Sequence, residues 1–395
     1  MSVRHGPPLD SPPATGPRAG RLSWLRLAVA GLSFALLAHG AAADPPDADA
    51  ALREAVEFPG YVLFGESGAP GLVLVAVRGA SSLVLGYGET ERGNGRAPDG
   101  RSLFRLNSVS KVLATEALAS LVAEGRLRLT DTLARHAGGR AVQQVGPRPI
   151  TLLDLATYSA GLPREIGDAP ADRAPRTWPT RSERWRWLDG NPLRWAPGTM
   201  AAYSNVGFDL LGDAMEEASG QAYPALLRDR VTAPAGMTDT TVSPTEEQCA
   251  RLMTGTGLGG AGPCVDTAAT AASGGLYSTG DDMRRWLRRN LGDPEGTRAL
   301  SHAVYRPRQA MPIAAGFDEA APMSGLGLGW VISDAAGTRP LLVAKSGAGV
   351  GFMSYVAFAP GRDAGVFVVM NRLDFAPFAG LVAGANALLA SLATR

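Results

Sequence analysis

This chain has two lysines, whereas all of its other Lys and Arg positions are arginines. Lys111 and Lys345 are the two lysines among 38 Lys and Arg residues. Such a bias indicates that most positions accept arginine. A lysine that remains is expected to be needed for its ammonium group, since arginine is broader and does not give up its proton. Both lysines lie in short motifs beside serine hydroxyls, which points to serine chemistry.

The first motif is Ser108-Val109-Ser110-Lys111, at the start of a helix predicted over residues 107–126. Residues three apart share one face of a helix, so the Lys111 ammonium can reach the Ser108 hydroxyl. The helix N-terminus favours an alkoxide and the oxyanion of an acyl intermediate. A serine hydroxyl is a weak nucleophile without such help. We therefore predict that Ser108 is a nucleophile activated by Lys111, although the motif is too short to carry this alone.

The second motif is Lys345-Ser346-Gly347, which follows the apolar strand pattern LLVA. Lys345 and Ser346 can hold a substrate carboxylate by charge-assisted hydrogen bonds. Gly347 would let a substrate backbone lie close to the strand edge. The alternative is a lysine that merely ends an ordinary strand.

A third candidate is Tyr203-Ser204-Asn205, just before a helix predicted to begin near Asn205. A phenol becomes a usable base only where neighbouring cations stabilise its phenolate, and two lysines would do so. Taken alone, this stretch would be interpreted as a packed tyrosine followed by a capping asparagine.

The order S-x-x-K, Y-x-N, K-[ST]-G is the signature of β-lactamases and penicillin-binding proteins. The tyrosine in the middle motif makes the chain resemble the class C β-lactamase-like family. Segments such as LLDLATYSAGLPRE, APGTMAAYSNVGFDLLGDA and SGGLYSTGDDMRRWL look like periplasmic D-alanyl-D-alanine carboxypeptidases/endopeptidases of the AmpH type. The resemblance covers nearly all of the chain after residue 43, and the cysteine pair also matches that group.

The resemblance implies a role for each motif residue. Ser108 is the acylated nucleophile and Lys111 its activating partner. Tyr203 is the proton shuttle, and Asn205 contacts the substrate amide. Lys345 is the electrostatic partner of Tyr203 and of the substrate carboxylate.

The resemblance also implies a substrate-binding edge formed by Ser346, Gly347 and Ala348, with the backbone N–H groups of Ser108 and Ala348 as the oxyanion hole. Two departures from the family pattern occur. Ser346 replaces the commoner threonine and keeps its hydroxyl. Tyr158-Ser159-Ala160 stands where a His-Thr-Ser stretch is common, which affects the expected loop packing more than the chemistry.

Residues 1–43 are predicted to be a leader followed by a secretory signal peptide. Arg21 and Arg26 precede an apolar run over residues 27–38, and Ala41-Ala42-Ala43 offers a cleavage site after Ala43. The run is shorter than the roughly 20 residues of a membrane span, although an uncleaved anchor is the alternative. We expect a periplasmic protein with no integral span after signal removal. The rest of the chain is slightly acidic, which argues against a nucleic-acid partner.

Cys249 and Cys264 are the two cysteines, and in an exported chain they favour a disulfide that closes a Gly-rich loop. Two buried free thiols are the alternative. The chain has no C-x-x-C pair, and only His136 and His302 follow the signal segment. We therefore predict neither a metal site nor a cofactor.

The pattern of elements predicts an α/β (α+β) fold of the β-lactamase/transpeptidase type. Strands precede residue 107, helical pieces follow, and strands return before a terminal helix. Residues 44–107 and 265–395 are expected to form an antiparallel sheet with terminal helices. Residues 108–264 are expected to form a helical insertion that carries the nucleophile at its interface.

The combined expectation is a serine D,D-peptidase acting on peptidoglycan stem or cross-link peptides ending in D-Ala, and acylated by β-lactams. Two alternatives remain open from the sequence. One is a class C β-lactamase or a related serine esterase, which would use the same catalytic residues. The other is a non-catalytic β-lactam sensor or wall-binding protein that stays acylated.

Overall fold

The protein is described here by a computed structural model covering residues 48–292, 296–317 and 322–394. The predicted leader, signal peptide and cleavage site at residues 1–43 lie outside the described residues.

The described residues form α-helices, shorter 3₁₀ and π turns, and strands. The α-helices are α1 (Ala48–Ser67), α2 (Ser110–Ala123), α3 (Leu152–Ala156), α4 (Arg181–Gly190), α5 (Asn205–Ser219), α6 (Tyr223–Leu227), α7 (Glu246–Cys249), α8 (Gly280–Gly292), α9 (Thr297–His302) and α10 (Phe375–Ala393). The 3₁₀ turns are Asn107–Val109, Leu133–His136, Ala268–Thr270 and Arg308–Ala310, and Arg228–Thr232 is a π turn. The strands are β1 (Gly71–Arg78), β2 (Ser81–Gly88), β3 (Leu103–Arg105), β4 (Ala201–Ala202), β5 (Thr256–Gly257), β6 (Tyr277–Thr279), β7 (Arg306–Pro307), β8 (Ala314–Ala315), β9 (Gly325–Leu326), β10 (Val331–Ser333), β11 (Leu342–Gly349), β12 (Phe352–Ala359), β13 (Ala364–Met370) and β14 (Arg372–Leu373).

Eight strands form one sheet in the order β2-β1-β13-β12-β11-β10-β9-β7. Every neighbouring pair in it is antiparallel. The sheet draws β1 and β2 from the start of the described chain and its other six strands from the second half. This arrangement confirms the predicted antiparallel sheet made from both ends of the chain.

Both faces of this sheet are buried, which explains why its central strands are apolar throughout. In β1, Val73, Val75 and Val77 pack on one face, whereas Leu72 and Leu74 pack on the other. Successive side chains of a strand point to opposite faces, so an alternating polar pattern is lost where both faces are covered.

The helices α1 and α10 cover one face of the sheet. Phe378, Leu381, Leu388 and Leu389 of α10 are buried in the same core cluster as the strands below them. By length and composition α10 is also the one helix of the described chain that could cross a membrane. Its buried side chains pack on the sheet, as the sequence predicts.

The other face is covered by α2 and α8 together with the inserted helices. Val112, Leu113, Leu118 and Leu121 of α2 are buried with Trp286 of α8 in the larger core cluster. Ten of the 14 residues of α2 are buried, so this helix lies largely inside the protein. The segment that begins with Ser108 is therefore held in the protein interior.

A buried ion pair joins α4 to α5 and to two loops. Arg184 donates to Asp213 from Nε at 2.7 Å and from Nη2 at 2.5 Å. Its Nη1 donates to the carbonyl oxygens of Pro179 and Ala269 at 3.0 and 2.8 Å. Trp185 Nε1 donates to the same carboxylate at 2.7 Å. The pair fixes the ends of loops that border the site described below.

A second cross-link is covalent. Cys249 and Cys264 form a disulfide with a Cα–Cα distance of 5.8 Å. It joins the end of α7 to the loop before the 3₁₀ turn at Ala268–Thr270.

We predict that Asp213→Ala lowers the free energy of unfolding by about 3–5 kcal/mol, because it leaves the buried Arg184 charge without its partner. Urea unfolding followed by tryptophan fluorescence measures this change. The control is Asp281→Ala, which removes a partly exposed carboxylate 3.6 Å from Arg284. Exposed pairs contribute less than about 1 kcal/mol. Equal losses in the two variants would contradict a structural role for the buried pair.

Candidate active site

Ser108 lies in the 3₁₀ turn that leads into α2. The turn is fixed by Asn107, whose backbone has a φ of 51°. Asn107 Nδ2 donates to the carbonyl oxygens of Gly349 at 2.9 Å and Phe352 at 3.2 Å. These bonds attach the turn to β11 and β12, so the sheet sets the position of the Ser108 hydroxyl.

The Lys111 ammonium lies behind Ser108 and is completely buried. Its Nζ is 3.4 Å from Ser108 Oγ and 2.6 Å from Asn205 Oδ1. It also donates to the carbonyl oxygen of Ser273. The helical spacing predicted from the motif therefore brings the ammonium to the hydroxyl, and two further acceptors hold it there.

The surroundings of Lys111 weaken its hold on a proton. Burial lowers the pKa of Lys111 well below its usual 10.5, and the charges of Lys345 and Arg176 lower it further. Asp209 and Glu165 act in the opposite direction. A lysine whose pKa is lowered in this way can take up a proton from a neighbouring hydroxyl.

Tyr203 lies among cations at the mouth of the site. The centre of its ring is 4.8 Å from Lys111 Nζ, 5.0 Å from Lys345 Nζ and 4.6 Å from Arg164 Cζ. Its ring stacks on that of Tyr158, with ring centres 5.1 Å apart. The Tyr203 ring thus lies close to the ammonium groups of both lysines.

Tyr158 is the first residue of the Tyr158-Ser159-Ala160 stretch that departs from the common His-Thr-Ser pattern. Its backbone is left-handed, with a φ of 59°, and its hydroxyl donates to the Gly329 carbonyl oxygen at 3.1 Å. The ring supports Tyr203 from behind, so the departure provides packing for a residue of the site.

The strand β11 forms the opposite wall. Lys345 is buried and donates to the Ser346 carbonyl oxygen at 2.8 Å. A Cβ at Gly347 would come within 2.4 Å of the Leu106 carbonyl oxygen and 2.5 Å of Ser354 Oγ. Only glycine fits there, because the protein's own backbone occupies the space. This is a further reason for glycine besides the predicted approach of a substrate.

Four predicted residues, Ser108, Tyr203, Ser346 and Ala348, help to line one cleft of about 390 Å³. Lys345 is not among the residues that line it, but its Nζ lies 5.0 Å from the centre of the Tyr203 ring. Lys111 and Asn205 lie beneath the cleft and contact each other, and Gly347 lies on the strand between Ser346 and Ala348. The disulfide cysteines, by contrast, are not among the residues that line the cleft.

The motifs did not identify several charged residues of the site. Arg176 Nη2 donates to Asn107 Oδ1 at 3.0 Å and lies 3.5 Å from the Ala348 carbonyl oxygen. Glu165 accepts a hydrogen bond from Asn205 Nδ2. Arg164 and Glu165 directly follow Gly-Leu-Pro in the segment LLDLATYSAGLPRE, whose family resemblance is a signal that could have identified them. Arg176 comes from an irregular loop without a comparable signal.

A model of the Beta-lactamase family matches residues 48–391. The chain belongs to the Beta-lactamase family. Two similar Escherichia coli K12 proteins show how broad that family is. The D-alanyl-D-alanine-carboxypeptidase/endopeptidase AmpH is 38% identical over 338 residues, covering 84% of this chain and 87% of its own length. A β-lactamase is 26% identical over 335 residues, covering 77% of this chain and 84% of its own length.

A solved family structure agrees with the fold. The crystal structure of a β-lactamase/D-alanine carboxypeptidase from Yersinia pestis has a TM-score of 0.83 and 38% sequence identity. The match covers 88% of this chain and 99% of the Yersinia chain. The predicted β-lactamase/transpeptidase-like fold and the family resemblance are therefore confirmed.

We predict that the Lys111 amine titrates well below 10.5, because burial and nearby cations disfavour its charged form. Lysine labelled with ¹³C at Cε gives two signals in a chain with two lysines, and Lys345→Arg assigns them. Titration of the Lys111 signal measures the pKa directly. A midpoint at or above 10.5 would show that the ammonium is not destabilised by its site.

Proposed function

We propose that this chain is a serine D,D-peptidase that cleaves peptidoglycan stem or cross-link peptides ending in D-Ala through an acyl-enzyme at Ser108. The observation that carries the proposal is the Lys111 side-chain nitrogen 3.4 Å from the Ser108 hydroxyl, with the Tyr203 ring centre 4.8 Å from Lys111 Nζ and 5.0 Å from Lys345 Nζ. This arrangement supplies a nucleophile, an adjacent base and a second proton carrier.

Acylation uses these groups in sequence. Ser108 Oγ attacks the carbonyl carbon of the terminal D-Ala-D-Ala bond, and its proton passes to Lys111. The oxyanion accepts hydrogen bonds from the backbone N–H groups of Ser108 and Ala348. As the C–N bond breaks, Tyr203 protonates the leaving amine, and D-Ala departs. Lys111 and Lys345 stabilise the phenolate that forms on Tyr203.

The β11 wall orients the substrate. Lys345 and Ser346 hold the terminal carboxylate, and Asn205 contacts the amide of the acyl portion. Water then attacks the acyl-enzyme and gives up a proton to the Tyr203 phenolate, and as the ester bond breaks Lys111 returns its proton to Ser108 Oγ. A β-lactam offers a strained amide and a carboxylate to the same groups, so we expect it to acylate Ser108.

The relatives support a peptidase. The Escherichia coli protein that is 38% identical is named a D-alanyl-D-alanine-carboxypeptidase/endopeptidase. The Yersinia protein is called both a β-lactamase and a D-alanine carboxypeptidase.

We also propose that the protein acts in the periplasm after cleavage following Ala43. The positive, apolar and small-residue segments before that position support export. The disulfide between Cys249 and Cys264 supports it independently, because such bonds persist in oxidising compartments.

A class C β-lactamase is the second candidate, favoured by the 26% identity to the Escherichia coli β-lactamase. It would use the same residues. The two activities differ in how fast water reaches the acyl-enzyme, which depends on small differences in positioning.

We predict that the mature protein releases D-Ala from purified muropeptides and that Ser108→Ala abolishes this release and labelling by a fluorescent penicillin. Mass spectrometry of the muropeptides and gel fluorescence measure the two results. Ser110→Ala is the matched control, because it removes a second serine hydroxyl of the same motif. The Ser110 hydroxyl is buried and accepts a hydrogen bond from the Leu276 N–H at 3.2 Å. This variant should keep both activities.

Other outcomes separate the alternatives. Rapid nitrocefin hydrolysis without D-Ala release favours the β-lactamase. A penicillin adduct that persists for hours without any peptide cleavage favours the sensor. Equal labelling of Ser108→Ala and wild type would remove Ser108 from the mechanism.

A further prediction concerns the two lysines. Lys111→Arg should lower the second-order rate constant of penicillin acylation by roughly 10²–10⁴, because a guanidinium cannot accept the proton. Lys345→Arg should lower it by about tenfold or less, because the charge that Lys345 supplies is retained. Stopped-flow labelling measures both rates. If Lys345→Arg lowered the rate constant as much as Lys111→Arg, the assignment of proton transfer to Lys111 would be wrong.

A further inference from the structure

Asp209 is a buried carboxylate beneath the cleft that the proposed mechanism does not use. It is 3% exposed and lies on α5, four residues after Asn205. Residues four apart share a helix face. Since Asn205 binds Lys111 directly, Asp209 lies one turn further along the same face, on the side of the buried ammonium.

Ser273 connects Asp209 to Lys111. The Ser273 N–H donates to Asp209 Oδ1 at 3.0 Å, and its hydroxyl donates to Asp209 Oδ2 at 2.9 Å. The carbonyl oxygen of the same residue accepts from the Lys111 ammonium. Both carboxylate oxygens thus fix the residue whose carbonyl holds the ammonium.

Charges face this pair from several elements. The charge of Lys345, on β11, acts on the Lys111 ammonium. The charges of Arg176 and Glu165, in the loop before α4, also act on it. The charges of Arg184, on α4, and of Lys111 act on the Asp209 carboxylate. So does the charge of Asp213, one turn further along α5. Two cations therefore act on the ammonium, and Asp209 is one of the two carboxylates that oppose them.

Tyrosines complete these surroundings. The ring of Tyr203 lies 4.8 Å from Lys111 Nζ, and Asp209 acts on the buried hydroxyl of Tyr223. A Tyr203 phenolate would favour the ammonium, whereas neutral Tyr223 brings no charge.

We propose that Asp209 is a positioning residue for the nucleophile: through Ser273 it fixes the Lys111 ammonium against Ser108, and through its charge it sets the protonation of that lysine. The inference rests on the proposed role of Lys111 as the activating base. Asp209 is hydrogen-bonded to Ser273 and is not among the residues that line the 390 Å³ cleft, so it acts through its neighbour.

The titration of the two groups agrees with this assignment. Burial raises the pKa of Asp209 to about 7, whereas burial lowers that of Lys111 well below 10.5. The ionised carboxylate raises the pKa of Lys111, so removing the charge must lower it further. The two groups titrate as a coupled pair, because each is stabilised in its charged form by the other.

The decisive test is Asp209→Asn, which keeps the shape and can still accept from the Ser273 N–H. In the resting enzyme labelled with ¹³C-lysine, we expect the Lys111 signal to titrate at lower pH than in wild type. At a pH above the Lys111 midpoints of both proteins, where the free amine predominates in each, the rate constant of penicillin acylation should fall between about tenfold and hundredfold, because the Lys111 nitrogen is held less firmly against Ser108. In the pH profile of the acylation rate constant, the limb that reports the titration of Lys111 should also move to lower pH.

Asp282→Asn is the matched control. Asp282 is also fully buried, and it accepts from the Asp239 N–H and the Thr240 hydroxyl, both at 2.8 Å. We expect it to lower stability while leaving the Lys111 midpoint and the acylation profile unchanged. A shift in Asp282→Asn as large as in Asp209→Asn would overturn the inference, since a general loss of packing would then explain both.

Ser273→Ala provides a second variant if Asp209→Asn folds poorly. It removes the hydroxyl bond to Asp209 and keeps both backbone contacts, so the Lys111 midpoint should again move to lower pH, by a smaller amount. An unchanged midpoint in both variants overturns the inference. The titration needs no substrate, so it stands even if D-Ala release fails, whereas D-Ala release with an unmoved midpoint would refute only the role of Asp209.

Discussion

The site depends on one buried ammonium group. Lys111 has no exposed surface, and its interior position removes the water that would otherwise stabilise its charge. Its acceptors, Asn205 and the Ser273 carbonyl, replace only part of that hydration. Because the pKa of Lys111 is lower in the folded chain than in the unfolded one, the unfolded chain binds more protons between the two values. The contribution of this residue to stability therefore increases as the pH rises toward 10.5.

The fold keeps this unfavourable group in place by supporting it from elements far apart in sequence. The sheet fixes the turn before α2 through Asn107, and α5 brings Asn205 to the ammonium. The Arg184–Asp213 pair then joins α5 to α4 and to the loop that carries Arg176. A well-packed core of α2 and α8 offsets the free energy lost at the site. Reactivity is concentrated at the lysine, and stability comes from its surroundings.

The sequence predicted the residues whose chemistry is local and missed those that depend on tertiary packing. Ser108 and Lys111 are related by helical spacing, and Tyr203 follows from the order of three motifs. The antiparallel sheet follows from the strand patterns at both ends of the chain. Asp209 and Ser273 are 64 positions apart, so no local pattern relates them. The position of Arg176 depends on a loop without periodicity, and the glycine at 347 is required by a carbonyl oxygen from another segment.

The pairing of β1 with β13 has a consequence for the order in which the molecule can be built. Leu72 pairs with Met370, so the sheet joins the beginning of the described chain to residues close to its end. Contacts this distant in sequence form late, because a long loop must close first. A chain emerging from the ribosome has the Ser108 segment long before it has β11, β12 and β13 to anchor it. The surroundings of the nucleophile can thus be completed only when synthesis is almost finished.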